Sequence, residues 1–469
     1  MSASGCTAAS PRMRTLRTLV RPCPAPRDRR SLRAAVLSLP GGFALETLTG
    51  TRDTVPHDRG GRFSYFGFDP VRVIDTPPTA DPRPDLATVF DPQSALPRAG
   101  DIPFIGGWVG YLAYEVGGWY EPTARPSRHM ADVPLASWSL HDAVIVADHR
   151  RGEWFVAGIE GLRERDHFDK RLAAMAELVT CASAQPAAFS VGALADDMNR
   201  ERYLAAVERV KTYIADGDVF QVNLARRASA EFAGSAPGLY EGLCRANPAH
   251  YAAYLSGRTS GAAWAILSSS PELFLERRGR RVTTRPIKGT RRRHLDAAQD
   301  QAARRELAAA SKDAAELAMI VDLERNDLGR VCRFGSVRVS DAGSIEDCGA
   351  VIHRVATIEG ELRPEMSNMD LLRATFPGGS ISGAPKVRAM QIIDELETSP
   401  RGPYCGAIGW VGLDGNLTLN LAIRTLTVAR DRVHLSVGGG IVADSIPEDE
   451  FAETQAKAAG MLAALYDRT

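Results

Sequence analysis

The stretch Pro271–Thr290, "PELFLERRGRRVTTRPIKGT", is two β-type runs that reverse around Gly279. Read as an antiparallel hairpin, it places residue 272 opposite residue 288 to within one position of register. Glu272 and Lys288 then become cross-strand neighbours, an acid beside an amine. An exposed surface pair would give the same spacing and would be worth little. The lysine still stands out, because the chain has six lysines (Lys170, Lys211, Lys288, Lys312, Lys386 and Lys457) against 51 arginines. A guanidinium holds its proton at any ordinary pH, whereas an amine that loses its proton can attack carbon. A lysine kept in so arginine-rich a chain is a candidate for chemistry that arginine cannot perform.

Outward from the hairpin, helices and runs of strands alternate irregularly, which predicts an α+β fold rather than a regular βαβ array. Upstream, "NRERYLAAVERVKTYIADGD" (199–218) has Leu204, Val207, Val210 and Ile214 on one helical stripe and Gly217 as its stop, and the strand "VFQVNLARR" follows at once. From about residue 41 to 180 the pattern is strand and turn, as in "GRFSYFGFDP" and "FIGGWVGYLAYE", and "CASAQPAAFSVG" (181–192) reads as a linker to a second region at 195–467. Residues 1–40 are rich in Arg, Ser, Ala and Pro, with Asp28 the only acid. They lack an apolar targeting core and read as a disordered extension, with Met13 an alternative initiator.

At 469 residues the chain exceeds the size of a single ordinary core, so two lobes or one large composite domain are expected. The formal net charge is zero, there is no basic stripe for nucleic acid, and no apolar run would cross a bilayer as a helix. Seven scattered cysteines without CxxC spacing fit a reducing, cytoplasmic setting better than a disulfide or zinc scaffold.

Two further segments pair carboxylates. "SKDAAELAMIVDL" reads as a helix capped by Ser311, with Asp313 and Glu316 on one face. "DSIPEDEFAETQAKAAGMLAALY" reads as a helix capped by Ser445, with Glu448 completing a capping box and Glu450, Glu453 and Lys457 on one stripe. Carboxylate pairs on two helices are how a chain can hold Mg2+ beside an anionic substrate, although solvated helix faces produce the same spacing. In "SVGGGIVADS" the amides of Gly438, Gly439 and Gly440 could cradle a carboxylate, or the glycines could form a bulge. Arg424 interrupts the apolar "LAIRTL" and needs an anion, either a structural acid or a substrate carboxylate. Together these features describe a site for a small dianionic molecule.

The segments "RPIKGTRRR", "VDLERNDLGRV", "FPGGSISGAPKVRAM", "AIRT", "GGGIVADS" and "EFAETQAKA", in this order and at these spacings, resemble the chorismate-utilising enzymes, the family of anthranilate synthase component I and aminodeoxychorismate synthase component I. The resemblance implies layered antiparallel sheets with helices packed outside. In that family the residue before Gly-Thr is lysine in aminodeoxychorismate synthases and alanine in anthranilate synthases. The resemblance therefore implies that Lys288 is a nucleophile toward chorismate, that Glu272 is the general acid and later base, and that the product with ammonia is 4-amino-4-deoxychorismate for 4-aminobenzoate and folate. Gln221 stands where relatives that add water carry a lysine base. The same carry-over makes Glu316 and Glu453 direct Mg2+ ligands, with Asp313 and Glu450 acting through water. It puts Arg424, Tyr404 and Gly438 to Gly440 at the enolpyruvyl carboxylate and Lys457 near the ring carboxylate. Thr290 and Ser382 become substrate-contacting hydroxyls and His353 a histidine beside the ring, while Lys386, Asp322, Glu324 and Asp327 are expected to be structural. The family's tryptophan site uses an "LLES"-like signature, and "ALETLTG" here departs from it. Ammonia is expected from solution or from a separate glutamine amidotransferase subunit in a heterodimer. An anthranilate synthase component and a chorismate-binding paralogue without turnover are the alternatives.

Overall fold

The computed structural model describes residues 16–48, 61–92, 96, 100–259, 261–349 and 351–466. The hairpin forms, but with a shorter reach than its sequence suggests. Strand Leu273–Arg278 pairs with Arg281–Arg285, and the last rung, Arg278 opposite Arg281, leaves Gly279 and Arg280 as the turn. Pro286 then ends the second arm, since it has no N–H to donate to a ladder. The next strand, Ile287–Arg292, pairs instead with Val351–Glu361, placing Lys288 opposite Arg354. Glu272 is thus not a ladder partner of Lys288. It meets this strand through the Ile287 N–H, which donates to its carboxylate.

Two antiparallel sheets, of 13 and ten strands, organise the chain. Their inner faces enclose one apolar core that includes Tyr65, Phe104, Trp108, Tyr111, Trp264 and Trp410. The outer face of the larger sheet is covered by helices Arg29–Leu37, Arg165–Cys181, Ala236–Ala246 and Pro447–Tyr466, which contribute Leu32, Val36, Phe168, Leu239 and Met461 to a second cluster. A sheet covered on both faces needs no polar alternation, and every residue of strand Ala143–Asp148 is buried. No helix among the described residues is long and apolar enough to cross a membrane. The α+β reading and its layering hold.

The regions 41–180 and 195–467 do not form separate sheets. In the larger sheet Ala253 pairs with Leu45, and in the smaller one Trp410 pairs with Val109. The linker is a linker in sequence only. Residues 1–15 lie outside the described residues, but the rest of the expected extension is built in. Strand Arg17–Cys23 pairs with Glu153–Glu160, and helix Arg29–Leu37 is capped by Asp28, whose carboxylate accepts from Arg30 and Ser31 N–H. The arginines that suggested an extension have distant partners, because Arg33 bridges Glu46 and Glu241.

Helix Arg200–Ala215 buries Tyr203, Ala206, Val207, Val210 and Tyr213, with Leu204 and Ile214 at the margin of that stripe. Gly217, at φ +84°, ends it and releases the chain into strand Gln221–Gly234. Two expected caps are displaced. Helix Ser311–Gly329 has Ala310 at its N-cap without a side-chain bond. Helix Pro447–Tyr466 begins two residues after Ser445, whose hydroxyl donates to the Glu450 carboxylate at 2.6 Å and accepts from the Val442 N–H at 3.1 Å, upstream of the helix.

Candidate functional site

The site gathers where strands Gln221–Gly234 and Arg432–Ile441 run past the end of strand Thr425–Ala429. That short strand pairs with its neighbour only as far as Leu435, so Gly438 to Gly440 have one edge outside that ladder. Gly289, at φ +79°, is the second requirement. It sits in a register shift between Lys288 and Thr290, and a Cβ there would lie 2.9 Å from the Asp313 side chain.

Lys288 Nζ lies 3.5 Å from Glu316 Oε2. A Cβ on Gly440 would lie 2.9 Å from that Nζ and 3.0 Å from the Gln221 amide carbon, so the lysine and the glutamine converge on one glycine. Gln221 is fully buried, and neither its Oε1 nor its Nε2 has a hydrogen-bond partner. A buried amide lacking both bonds is costly, which marks a place where a ligand completes them.

Glu272 is buried, its backbone N–H donates to Ser270 Oγ at 3.2 Å, and its carboxylate accepts from Ser380 Oγ at 2.7 Å. Burial pushes its pKa up to about 7, against the lowering effects of Ser380 and Lys288. Sequence reading missed Ser380 and favoured Ser382. The Ser382 hydroxyl instead donates to the Gly378 carbonyl at 2.8 Å within its own short helix. The only sequence signal was two serines two apart in "GGSISG", and only the tertiary fold distinguishes them.

Thr290 and His353 face each other across their ladder, with Oγ1 and Nδ1 2.8 Å apart. Burial, followed by the Arg424 charge, holds the His353 pKa well below the usual histidine range, so the ring is neutral, and its buried Nε2 has no partner. Arg424 takes φ +51°, an uncommon conformation for a side-chain-bearing residue, and makes no ion pair with any carboxylate of the described residues. Of the two anions expected for it, the structural acid is therefore missing. Tyr404 is buried in the adjoining loop, next to Cys405, whose N–H donates to the Ala422 carbonyl at 2.8 Å.

The four expected metal ligands come from the two expected helices but are not assembled as a metal cluster, and no such cluster occurs among the described residues. Glu316 contacts Lys288, Glu453 lies 2.7 Å from Lys457, Asp313 lies 3.3 Å from Arg291, and Glu450 is held by Ser445. Lys457 Nζ also donates to the Gly438 carbonyl at 2.9 Å. Burial raises the Glu450 pKa. In Glu453 burial acts the same way but Lys457 prevails and lowers it. A donor set of carboxylates alone suits a hard cation such as Mg2+, which would replace the lysine contacts of Glu316 and Glu453.

A cavity of about 520 Å3 lies elsewhere, lined among others by Glu46, Arg62, Tyr65, Glu276, Arg278 and Trp410. It includes Leu45 to Thr47 of "ALETLTG" but none of the candidate-site residues, so the candidate site rests on its converging polar groups.

Residues 52–463 match the model of the chorismate binding enzyme family. The aminodeoxychorismate synthase component 1 of Bacillus subtilis is 35% identical over 87% of this chain and 90% of its own length. The anthranilate synthase component 1 of Streptomyces coelicolor is 38% identical over 90% and 83%. Among solved structures, anthranilate synthase component I from Streptococcus pneumoniae superposes with a TM-score of 0.72 at 31% identity, covering 88% of this chain and 95% of that one. The isochorismate synthase MenF of Escherichia coli has the same fold, with a TM-score of 0.72 at 18% identity over 98% of this chain and 96% of its own.

Proposed function

Since the chain belongs to the chorismate binding enzyme family, we propose that it converts chorismate and ammonia to 4-amino-4-deoxychorismate, as an aminodeoxychorismate synthase component. The observation that carries this reading is Lys288, within 3.5 Å of Glu316 and beside the unpaired amide of Gln221. Relatives named anthranilate synthase are as similar as those named aminodeoxychorismate synthase. Overall identity therefore does not separate the two readings, and Lys288 favours the aminodeoxychorismate synthase one.

Lys288 Nζ, once it has released a proton to solvent, forms a bond to C2 of chorismate while the C4–O bond breaks, and Glu272 gives its proton to the departing hydroxyl, which leaves as water. Ammonia then forms a bond to C4, the C2–Nζ bond breaks, and the proton shed by the new ammonium returns to Glu272. Chorismate and ammonia have become 4-amino-4-deoxychorismate and water. Gln221 Oε1 accepts from ammonia and holds it in line, whereas an amide cannot deprotonate water, which favours amination. Arg424 takes the enolpyruvyl carboxylate, with Tyr404 alongside, and neutral His353 donates or accepts beside the ring. Mg2+, held by Glu316 and Glu453 and through water by Asp313 and Glu450, would neutralise the ring carboxylate when bound. Ammonia is supplied by a separate glutamine amidotransferase subunit, in keeping with the component names of the relatives.

The test is to incubate the purified chain with chorismate, Mg2+ and ammonium and to identify the product by mass spectrometry. A product that keeps the enolpyruvyl group and carries an amine in place of the hydroxyl is expected. Anthranilate with pyruvate would overturn the reading in favour of the tryptophan branch. Lys288→Ala should lower the rate by about 10²-fold or more.

A further inference from the structure

Helix Ser311–Gly329 carries four acids on its inward side: Asp313, Glu316, Glu324 and Asp327. Eleven residues turn a helix to within about 20° of the same direction, so Glu324 repeats the bearing of Asp313 and Asp327 that of Glu316. The first pair lies beside Arg291 and Lys288. Glu324 lies deeper, 8% exposed, and makes no ion pair with a lysine or arginine of the described residues. Its Oε2 accepts from Thr284 Oγ1 at 2.9 Å. A buried carboxyl without a cation is costly, and such groups cluster where protons are moved.

Two chains of contact join it to Glu272. The rung Leu273 opposite Arg285 sets Glu272 beside the arm that carries Thr284. The dipeptide Gly379–Ser380 spans the same gap: a Cβ on Gly379 would lie 2.7 Å from Leu323, the residue before Glu324, while Ser380 donates to Glu272. The charged groups facing this pair are Asp327 and Lys386, which are bonded to each other at 2.6 Å and act on Glu324 with opposite sign, and Lys288, Lys457 and Arg424, which act on Glu272 from the side of the substrate. Burial, and after it the charge of Glu272, hold the Glu324 pKa well above the carboxylate range. Burial of both carboxyls and the repulsion between their charges disfavour ionising the two together.

We propose that Glu324 is a positioning residue for Glu272: it stores the proton that Glu272 passes to the departing hydroxyl and takes it back when the new amine is deprotonated. No bond or redox change is added to the reaction, since the proton moves between two carboxyl groups. This rests on the role proposed above for Glu272. Its consequence is that the pair keeps one proton at a pH where Glu272 alone would have lost it.

The experiment compares Glu324→Gln with wild-type full-length chain at saturating chorismate, Mg2+ and matched free ammonia. The ratio of the two rates cancels every ionisation that the two proteins share. From about pH 6.5 to about pH 8.5 that ratio should fall about tenfold, because the variant loses its proton near the pKa of an isolated Glu272, while the KM for chorismate stays unchanged. Glu324→Leu, which places an apolar group in a buried position, should give the same slope. A ratio that is lowered but flat across pH would overturn the proposal, since a structural role scales all rates equally, and so would failure of both variants to fold. The product is identified in the same samples. Anthranilate with the slope intact would sink the aminodeoxychorismate reading alone, and the expected product with a flat ratio would sink this inference alone.

Discussion

Gly438, Gly439 and Gly440 differ in what a methyl group would meet. At Gly438 it would lie 2.5 Å from the Leu224 carbonyl oxygen, at Gly439 3.2 Å from Glu450 Oε2, and at Gly440 2.9 Å from Lys288 Nζ. The first is backbone and cannot yield, whereas the last is the end of a flexible chain and can. Gly440→Ala should therefore fold with an almost unchanged melting temperature but lose about tenfold to a hundredfold in kcat, because the lysine is displaced. Gly438→Ala should lose stability instead. Thermal melts beside steady-state rates separate the two, and equal loss of stability in both would refute the assignment. Much at this scale was legible in the sequence. A lone lysine among arginines and an arginine interrupting an apolar run are chemical anomalies that need no structure to notice, although Arg424 lies in the bend just before strand Thr425–Ala429 and not in a strand. The three glycines also stood out, but their reason did not: they admit side chains from elsewhere. Ser380 was not legible, since its partner Glu272 comes from an element distant in sequence.

Helix Lys386–Leu396 ends in a clamp. Arg401 bonds Glu397 at 2.6 Å, the Ile381 carbonyl at 2.7 Å and the Asn223 carbonyl at 2.6 Å, while Glu397 accepts from the Ala225 N–H at 2.8 Å. One buried ion pair thus ties the strand carrying Gln221, the short helix carrying Ser380 and the loop carrying Tyr404. Arg401→Ala would leave Glu397 buried without its partner and should cost about 3–5 kcal/mol in chemical denaturation. Removing both charges, as Glu397→Gln with Arg401→Met, should cost less than the single change, and a double variant weaker than the single one would contradict this. Helices Arg200–Ala215, Ser311–Gly329 and Pro447–Tyr466 were legible as elements because their apolar stripes are local. Their ends were less so. Ser445 has the right identity and place for a cap, yet its hydroxyl goes to Glu450. The hairpin register failed for a related reason: Pro286 hands the chain to a strand more than 60 residues away in sequence.

The whole molecule depends on its first described residues. Strand Arg17–Cys23 covers the edge of Glu153–Glu160, and helix Arg29–Leu37 buries Leu32 and Val36 completely while Arg33 neutralises Glu46 and Glu241. Deleting residues 1–37 would bare a sheet edge, an apolar face and two buried acids. The truncated chain should aggregate on size-exclusion chromatography, and a soluble monomer of full activity would disprove this dependence. Composition misled here, because the same arginines that suggest an unstructured extension are ion-pair partners once Glu46 and Glu241 are near. The class of fold was legible from the irregular alternation of elements. The order of strands was not, because it is decided by pairings between distant segments.

That both sheets draw strands from either side of residues 181–192 also bears on how such genes can recombine. A crossover in that connecting segment looks safe in the sequence, which reads as a plain linker, although the fold places the short strand Phe189–Val191 within it. The crossover would graft strands from one parent onto hydrogen-bond ladders and a shared aromatic core shaped by the other. Variation in the first 180 residues and variation in the chemical half are therefore inherited most safely together.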